Sequence, residues 1–148
     1  MKPLYIEHIG IAVKNLQEAI RIYENLLGID CYKIEEVPEQ RVNTAFFMVG
    51  QTKIELLAST DPEGPVGKFI EKRGEGIHHI AFAVDSIEES LTELKSNGVS
   101  LIDQTPRAGA DGLDIAFLHP KSTGGVLIEI CEHESDSKNN INKNYGKI

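Results

Sequence analysis

The chain has 148 residues, enough for one compact domain or two small modules sharing a core, and an ordinary globular composition of 41% hydrophobic and 26% charged residues. Its formal net charge of -8 argues against general nucleic-acid binding, which needs a basic surface, while leaving room for an anionic small molecule in a local basic pocket. No apolar run nears the roughly 18 residues that span a bilayer. Met1-Lys2-Pro3-Leu4 leads straight into strand-like sequence without signal-peptide features, and Cys31 and Cys131 lack CxxC spacing. Free thiols and a cytoplasmic location are expected.

The first element is a strand over Glu7-His8-Ile9-Gly10-Ile11-Ala12-Val13. Ile9, Ile11 and Val13 alternate onto one face, and His8, Gly10 and Ala12 onto the other. The bulky face suits packing against a helix. The small neighbours leave space beside the imidazole, which a cavity wall needs and a packed core does not. A helix opens at Asn15, with Glu18 three residues on as a capping box, and stops at Gly28. Leu16, Ala19, Ile20, Tyr23 and Leu27 keep helical spacing. Three strands follow, at about 31–37, 43–49 and 52–58. The linker from Ser59 to Gly76 carries a short helix near Val66–Lys72.

The pattern then repeats. His78-His79-Ile80-Ala81-Phe82-Ala83-Val84 matches the first strand at an offset of 71 (79 − 8). Ser86 with Glu89 forms the second capping box, Ile87, Leu91 and Leu94 the helix stripe, and Gly98 its stop. Strands are predicted at about 100–103, 113–118 and 125–131. Lys53-Ile54-Glu55-Leu56 matches Leu127-Ile128-Glu129-Ile130 at an offset of 74 (129 − 55), so the second half carries three extra residues. Each half reads β-α-β-β-β. The tail over 135–148 is polar, without apolar pattern.

His8 and His79 on the first strands, and Glu55 and Glu129 on the last, thus hold equivalent places. A carboxylate flanked by Ile128 and Ile130, or by Ile54 and Leu56, costs several kcal/mol if left uncompensated. A divalent cation compensates all four groups. Two imidazoles and two carboxylates suit Co, Ni, Mn, Fe or Zn and leave two positions of an octahedron open for catalysis. A lone strand His is more often a plain hydrogen-bonded side chain; recurrence in register favours the metal. His78, one residue out of phase, should face away from His79. His119 and His133 read as surface residues, His119 as a neighbour of the site at most.

This duplicated module with His8, Glu55, His79 and Glu129 resembles the vicinal-oxygen-chelate superfamily over about residues 4–132. The resemblance implies an α+β fold of two tandem βαβββ modules, forming an open eight-stranded half-barrel around a metal site. It implies one domain over 1–134, with modules at about 4–60 and 76–134, a linker at 61–75 and a homodimer. Within the superfamily, His8 to Val13, Pro38-Glu39-Gln40, Gly74 to Ala81 and above all Phe117-Leu118-His119-Pro120-Lys121-Ser122-Thr123-Gly124-Gly125-Val126-Leu127-Ile128-Glu129 resemble the methylmalonyl-CoA epimerases. That resemblance implies an isomerase acting on an acyl-CoA through an enolate, with Glu129 and Glu55 as catalytic carboxylates. Gln40, Arg107 and Lys121 are then expected to meet substrate. The proposed partner base of some members falls on Thr44 here, a departure from their pattern. Glyoxalase I, extradiol dioxygenases and non-catalytic drug-binding members of the superfamily are the competing readings. No membrane or nucleic-acid partner is expected.

Overall fold

The structure is a computed structural model and describes residues 1–133; the polar tail lies outside the described residues. The elements run β1 (Pro3–Ala12), α1 (Leu16–Leu27), β2 (Lys33–Val37), β3 (Val42–Val49), β4 (Thr52–Ser59), α2 (Pro65–Arg73), β5 (Gly76–Val84), α3 (Ile87–Ser96), β6 (Arg107–Ala108), β7 (Asp114–Leu118) and β8 (Ile128–Glu132). Two βαβββ modules and eight strands are present, as expected, with one of the eight at another place in the sequence. The strands are hydrogen-bonded in the order β2-β3-β4-β1-β5-β8-β7-β6.

The chain divides into two compact units: Glu7–Ile80, and Met1–Ile6 together with Ala81 onward. In Glu7–Ile80 the helix α1 starts where Asn15 Oδ1 accepts from the Glu18 backbone N–H (2.9 Å), and stops where Gly28 takes a left-handed conformation (φ 67°). Its buried Ala19 and Ile20 pack with Val13, Ala45, Phe47 and Leu56, and Ile11, Ile54 and Ala58 close around them. One sheet face is thereby committed to the helix. β1 and β4 pair in parallel, with His8 opposite Lys53, Gly10 opposite Glu55 and Ala12 opposite Leu57. Strand alternation puts those six residues on the other face, with Thr44 and Phe46 of β3 beside them.

In the other unit, Ser86 Oγ accepts from Glu89 N–H (3.2 Å) to start α3. Val84, Ile87, Leu91, Ala116, Leu118 and Ile130 form the core beneath it. Ala81, Ala83, Ile115, Phe117 and Cys131 form a second cluster on the opposite side. β7 and β8 are antiparallel, with Phe117 opposite Glu129 and Ile115 opposite Cys131.

Two expectations are corrected. The predicted strand at 100–103 is absent, and Leu101 makes only an isolated bridge to Leu118. The strand next to β7 is instead the two-residue β6, with Arg107 opposite Ile115. Around the Leu101 bridge Ile102 N–H donates to Phe117 O (2.9 Å) and His119 N–H to Ser100 O (2.9 Å), and the Asp103 carboxylate accepts from Phe117 N–H (2.9 Å) and Arg107 Nε–H (3.1 Å). The second helix stop is also shared: Asn97 caps α3 and Gly98 (φ 83°) follows.

Candidate metal centre

Within Glu7–Ile80, β1 and β5 bring His8 and His79 together. Their Nε2 atoms lie 3.0 Å apart, and the rings meet edge-on at 88°. Both residues are buried. The space for the His79 ring is made by Gly10: a Cβ there would fall 2.3 Å from Cε1, 2.6 Å from Nδ1 and 2.9 Å from Nε2 of His79. The small face of β1 therefore cradles an imidazole, as its sequence suggested.

Two carboxylates face the other nitrogen of His8. Nδ1 lies 2.8 Å from Glu55 Oε2 and 3.1 Å from Glu7 Oε1. Acidic acceptors on that side favour a proton on Nδ1, and in the neutral ring the Nε2 lone pair then faces His79. A lone pair so directed requires a shared proton or a cation. Burial, and then the neighbouring His8 and His78, hold the pKa of His79 well below the ordinary imidazole value, so its ring is neutral and able to ligate. Glu7, His8 and Glu55 are all buried and offer ligand atoms within 4.8 Å of one another. The paired Nε2 atoms of His8 and His79, with Glu7 and Glu55 behind His8 on its Nδ1 side, have donor chemistry that fits a first-row divalent ion. Glu55 meets His8 on the opposite ring edge from His79.

Glu129 belongs to the other unit. It is buried on β8, on the face shared by Phe117 and Cys131 and turned away from α3. Arg107 comes to that same face, its guanidinium 5.5 Å above the Phe117 ring. Arg107, expected to meet substrate, thus lies on the face of the sheet that carries Glu129. Its Nε–H is already donated to Asp103. Lys121 is exposed in the turn after β7, where its backbone N–H donates to His119 Nδ1 (3.1 Å), giving His119 a local capping role. Gln40 is half-buried in the β2–β3 turn, its N–H donating to Val37 O.

Three members of this cluster were missed in the sequence. Glu7 and Lys53 are buried and form an ion pair of 2.9 Å beside His8. Lys53 was legible, since it is two residues before Glu55 and alternation places both on one face. His78 was expected to turn away from His79. Instead its Nδ1 lies 2.9 Å from Nδ1 of His79, and its ring stands edge-on to Phe69 of α2 (5.0 Å). The aromatic contact from α2, a tertiary feature, overrides strict alternation.

The burial of His78 lowers its pKa from 6.5 to about 4. Below pH 6.5 the unfolded chain takes up a proton that the folded chain refuses until about pH 4. The contribution of His78 to stability is therefore fully present above pH 6.5 and lost as pH falls through that window, and His79 acts in the same direction. We expect the urea midpoint of the metal-free protein to fall from pH 7 to 4.5, and His78→Gln to flatten the dependence. A slope unchanged by that substitution would remove His78 as a cause.

Thr44 is 1% exposed, and its Oγ1 has no hydrogen-bond partner among the described residues. Thr44→Val should therefore stabilise the fold by about 1 kcal/mol, read as a higher urea midpoint. A clear destabilisation would show that the hydroxyl contributes to the folded state.

The family model of the Glyoxalase/Bleomycin resistance protein/Dioxygenase superfamily matches residues 7–117. The chain belongs to this superfamily. Among its relatives, an uncharacterized protein of Bacillus subtilis is 46% identical over 134 residues, which are 90% of this chain and 96% of that protein. A mitochondrial methylmalonyl-CoA epimerase of Dictyostelium discoideum is 41% identical over 128 residues, covering 86% of this chain and 77% of the relative. A variant of Streptomyces coelicolor methylmalonyl-CoA epimerase, solved in complex with 2-nitronate-propionyl-CoA, is 33% identical with a TM-score of 0.87, covering 90% of this chain and 97% of its own. The sequence resemblance to the epimerases thus extends to the superfamily fold.

Proposed function

We propose that this chain is a metal-dependent methylmalonyl-CoA epimerase that interconverts the (2R) and (2S) thioesters. The observation that carries the reading is the buried His8–His79 pair with its carboxylates, set in a fold shared over 90% of the chain with an epimerase that holds an acyl-CoA nitronate. In this reading His8, His79 and Glu129 hold the ion. Glu129 occupies on β8 the place that Glu55 occupies on β4, which supports its assignment from the internal repeat. Glu55 either joins as a fourth ligand, as the sequence pattern suggests, or keeps the His8 ring oriented, which its 2.8 Å approach to Nδ1 favours.

Epimerisation needs removal of the α-proton from one face and return from the other. A divalent cation, when bound, supplies Lewis-acid stabilisation of negative charge on the thioester and carboxylate oxygens. Glu129 is assigned as one proton-transfer group. The assignment of Glu55 to the second face follows from its place in the repeat, because Thr44 is a poor base. Arg107, on the face of Glu129, and Lys121, exposed beyond β7, are assigned to the substrate carboxylate or CoA phosphates, and Gln40 to the substrate rim. Apolar Ile22, Leu26, Ile34 and Met48 are exposed, surface that suits a homodimer, and the free Cys31 and Cys131 suit a reducing cytoplasm.

The test is deuterium wash-in at the α-carbon of methylmalonyl-CoA in D₂O, with Co²⁺-, Ni²⁺-, Mn²⁺- or Zn²⁺-loaded protein against a chelated sample. Exchange with one or more ions, lost on chelation, is expected. No exchange with any of the four ions would end the epimerase assignment and direct attention to methylglyoxal with glutathione.

A further inference from the structure

The function proposed above makes no use of Lys53 and Glu7, although burying a Lys–Glu pair is expensive. Each is nearly inaccessible (3% and 2% exposed), and Lys53 Nζ lies 2.9 Å from Glu7 Oε1. That same Glu7 oxygen is 3.1 Å from His8 Nδ1, whose proton is also approached by Glu55 Oε2 at 2.8 Å. Two buried carboxylates converging on one N–H repel each other unless one charge is balanced. Lys53 stands directly opposite His8 in the parallel β1–β4 register, where its side chain provides that balance. The trio Glu7, His8 and Glu55 has the composition of a cation site, but the Lys53 amine already occupies the cationic role beside Glu7.

We propose that Lys53 and Glu7 are positioning residues for the metal: the ion pair anchors a carboxylate on Nδ1 of His8, fixing the tautomer that turns the Nε2 lone pair toward His79. Acceptors behind a ligating imidazole orient the ring and raise its basicity, and losing one typically costs about 10- to 100-fold in metal affinity. The inference rests on the metal reading of His8 and His79. It extends that reading by naming a buried lysine, which cannot itself ligate while paired, as a determinant of how tightly the ion is held.

The experiment is Co²⁺ titration of the purified full chain, using chelator competition for affinity and visible absorption for the ligand field. Folding is monitored by circular dichroism under the same conditions. Wild type, Lys53→Met, Lys53→Arg and the double variant Glu7→Leu/Lys53→Met are compared. Replacing both members of a buried pair by apolar residues is often neutral or stabilising for the fold. The double variant is therefore expected to stay folded yet bind Co²⁺ about 10- to 100-fold more weakly, with a changed spectrum. Lys53→Met should also lose affinity, and Lys53→Arg should keep most of it by preserving the charge. Wild-type affinity and spectrum in both Met-containing variants would overturn the positioning role. So would losses that only track the fraction unfolded, or an equal loss in Lys53→Arg and Lys53→Met. Failure of wild type to take up Co²⁺ would instead remove the metal reading itself, and this inference with it.

Discussion

A single methyl group added at Gly10 is expected to reduce metal affinity about 100-fold, the upper end of what mispositioning a metal-ligating imidazole costs. The position has no backbone peculiarity to protect, because it lies in a regular strand. What it lacks is room, since an alanine Cβ would sit 2.3 Å from Cε1 of His79. The ring cannot yield a little. It is held by His8 at 3.0 Å on Nε2 and by His78 at 2.9 Å on Nδ1, and it is buried. Overpacking of this kind costs about 1–3 kcal/mol of stability, whereas the loss of ligand geometry should be the larger effect. The check is Co²⁺ binding by Gly10→Ala beside circular dichroism: a folded protein with weak binding is expected. Wild-type binding would mean that His79 is not a ligand in the place seen here.

The second large effect is expected at Glu129. Glu129→Gln preserves shape and a carbonyl acceptor on the buried face of β8, next to Phe117 and Cys131, but removes the carboxylate as a proton acceptor. Loss of a general base costs about 10²- to 10⁴-fold in rate. Deuterium wash-in from either epimer should fall by that factor in single-turnover experiments, while methylmalonyl-CoA binding followed by calorimetry changes much less. If metal content also falls, comparison at saturating Co²⁺ separates ligation from proton transfer. Undiminished exchange at full metal occupancy would take Glu129 out of the chemistry.

The parts of this molecule legible in the sequence are those governed by short-range periodicity. The repeated small-residue faces around His8 and His79 showed where imidazoles have space, and Gly10 meets that expectation atom by atom. The caps at Asn15 and Ser86 follow from local hydrogen bonding and reappear where predicted. What was not legible depends on long-range partners. Nothing local reveals that the 100–103 segment pairs with β7 only around Leu101, with the Asp103 carboxylate taking the Phe117 N–H, or that the regular strand lies at Arg107. The ring of His78 is drawn to Phe69 across a loop and a helix. Glu7 reads as an ordinary strand charge until β1 and β4 are aligned in parallel and Lys53 is found paired with it.

That parallel alignment restricts how such a chain can change length. Each residue step along β4 is locked to one along β1, so deleting a single residue within β4 ahead of Lys53 would turn Lys53 and Glu55 toward α1 and bring Ile54 and Leu56 to face His8 and Gly10. Insertions and deletions of one residue should be lethal inside these strands, while the turns between them can drift. The two halves already record this rule. Their first strands are 71 residues apart and their last 74, and the three-residue difference falls between His79 and Glu129. The connections between α3 and β7, where only the two-residue β6 must be kept in register, offer the room to absorb it. Divergence under this constraint proceeds by exchanging side chains on a fixed ruler and by lengthening loops, which is how one scaffold can hold its histidine-bearing face constant while the loops around it change.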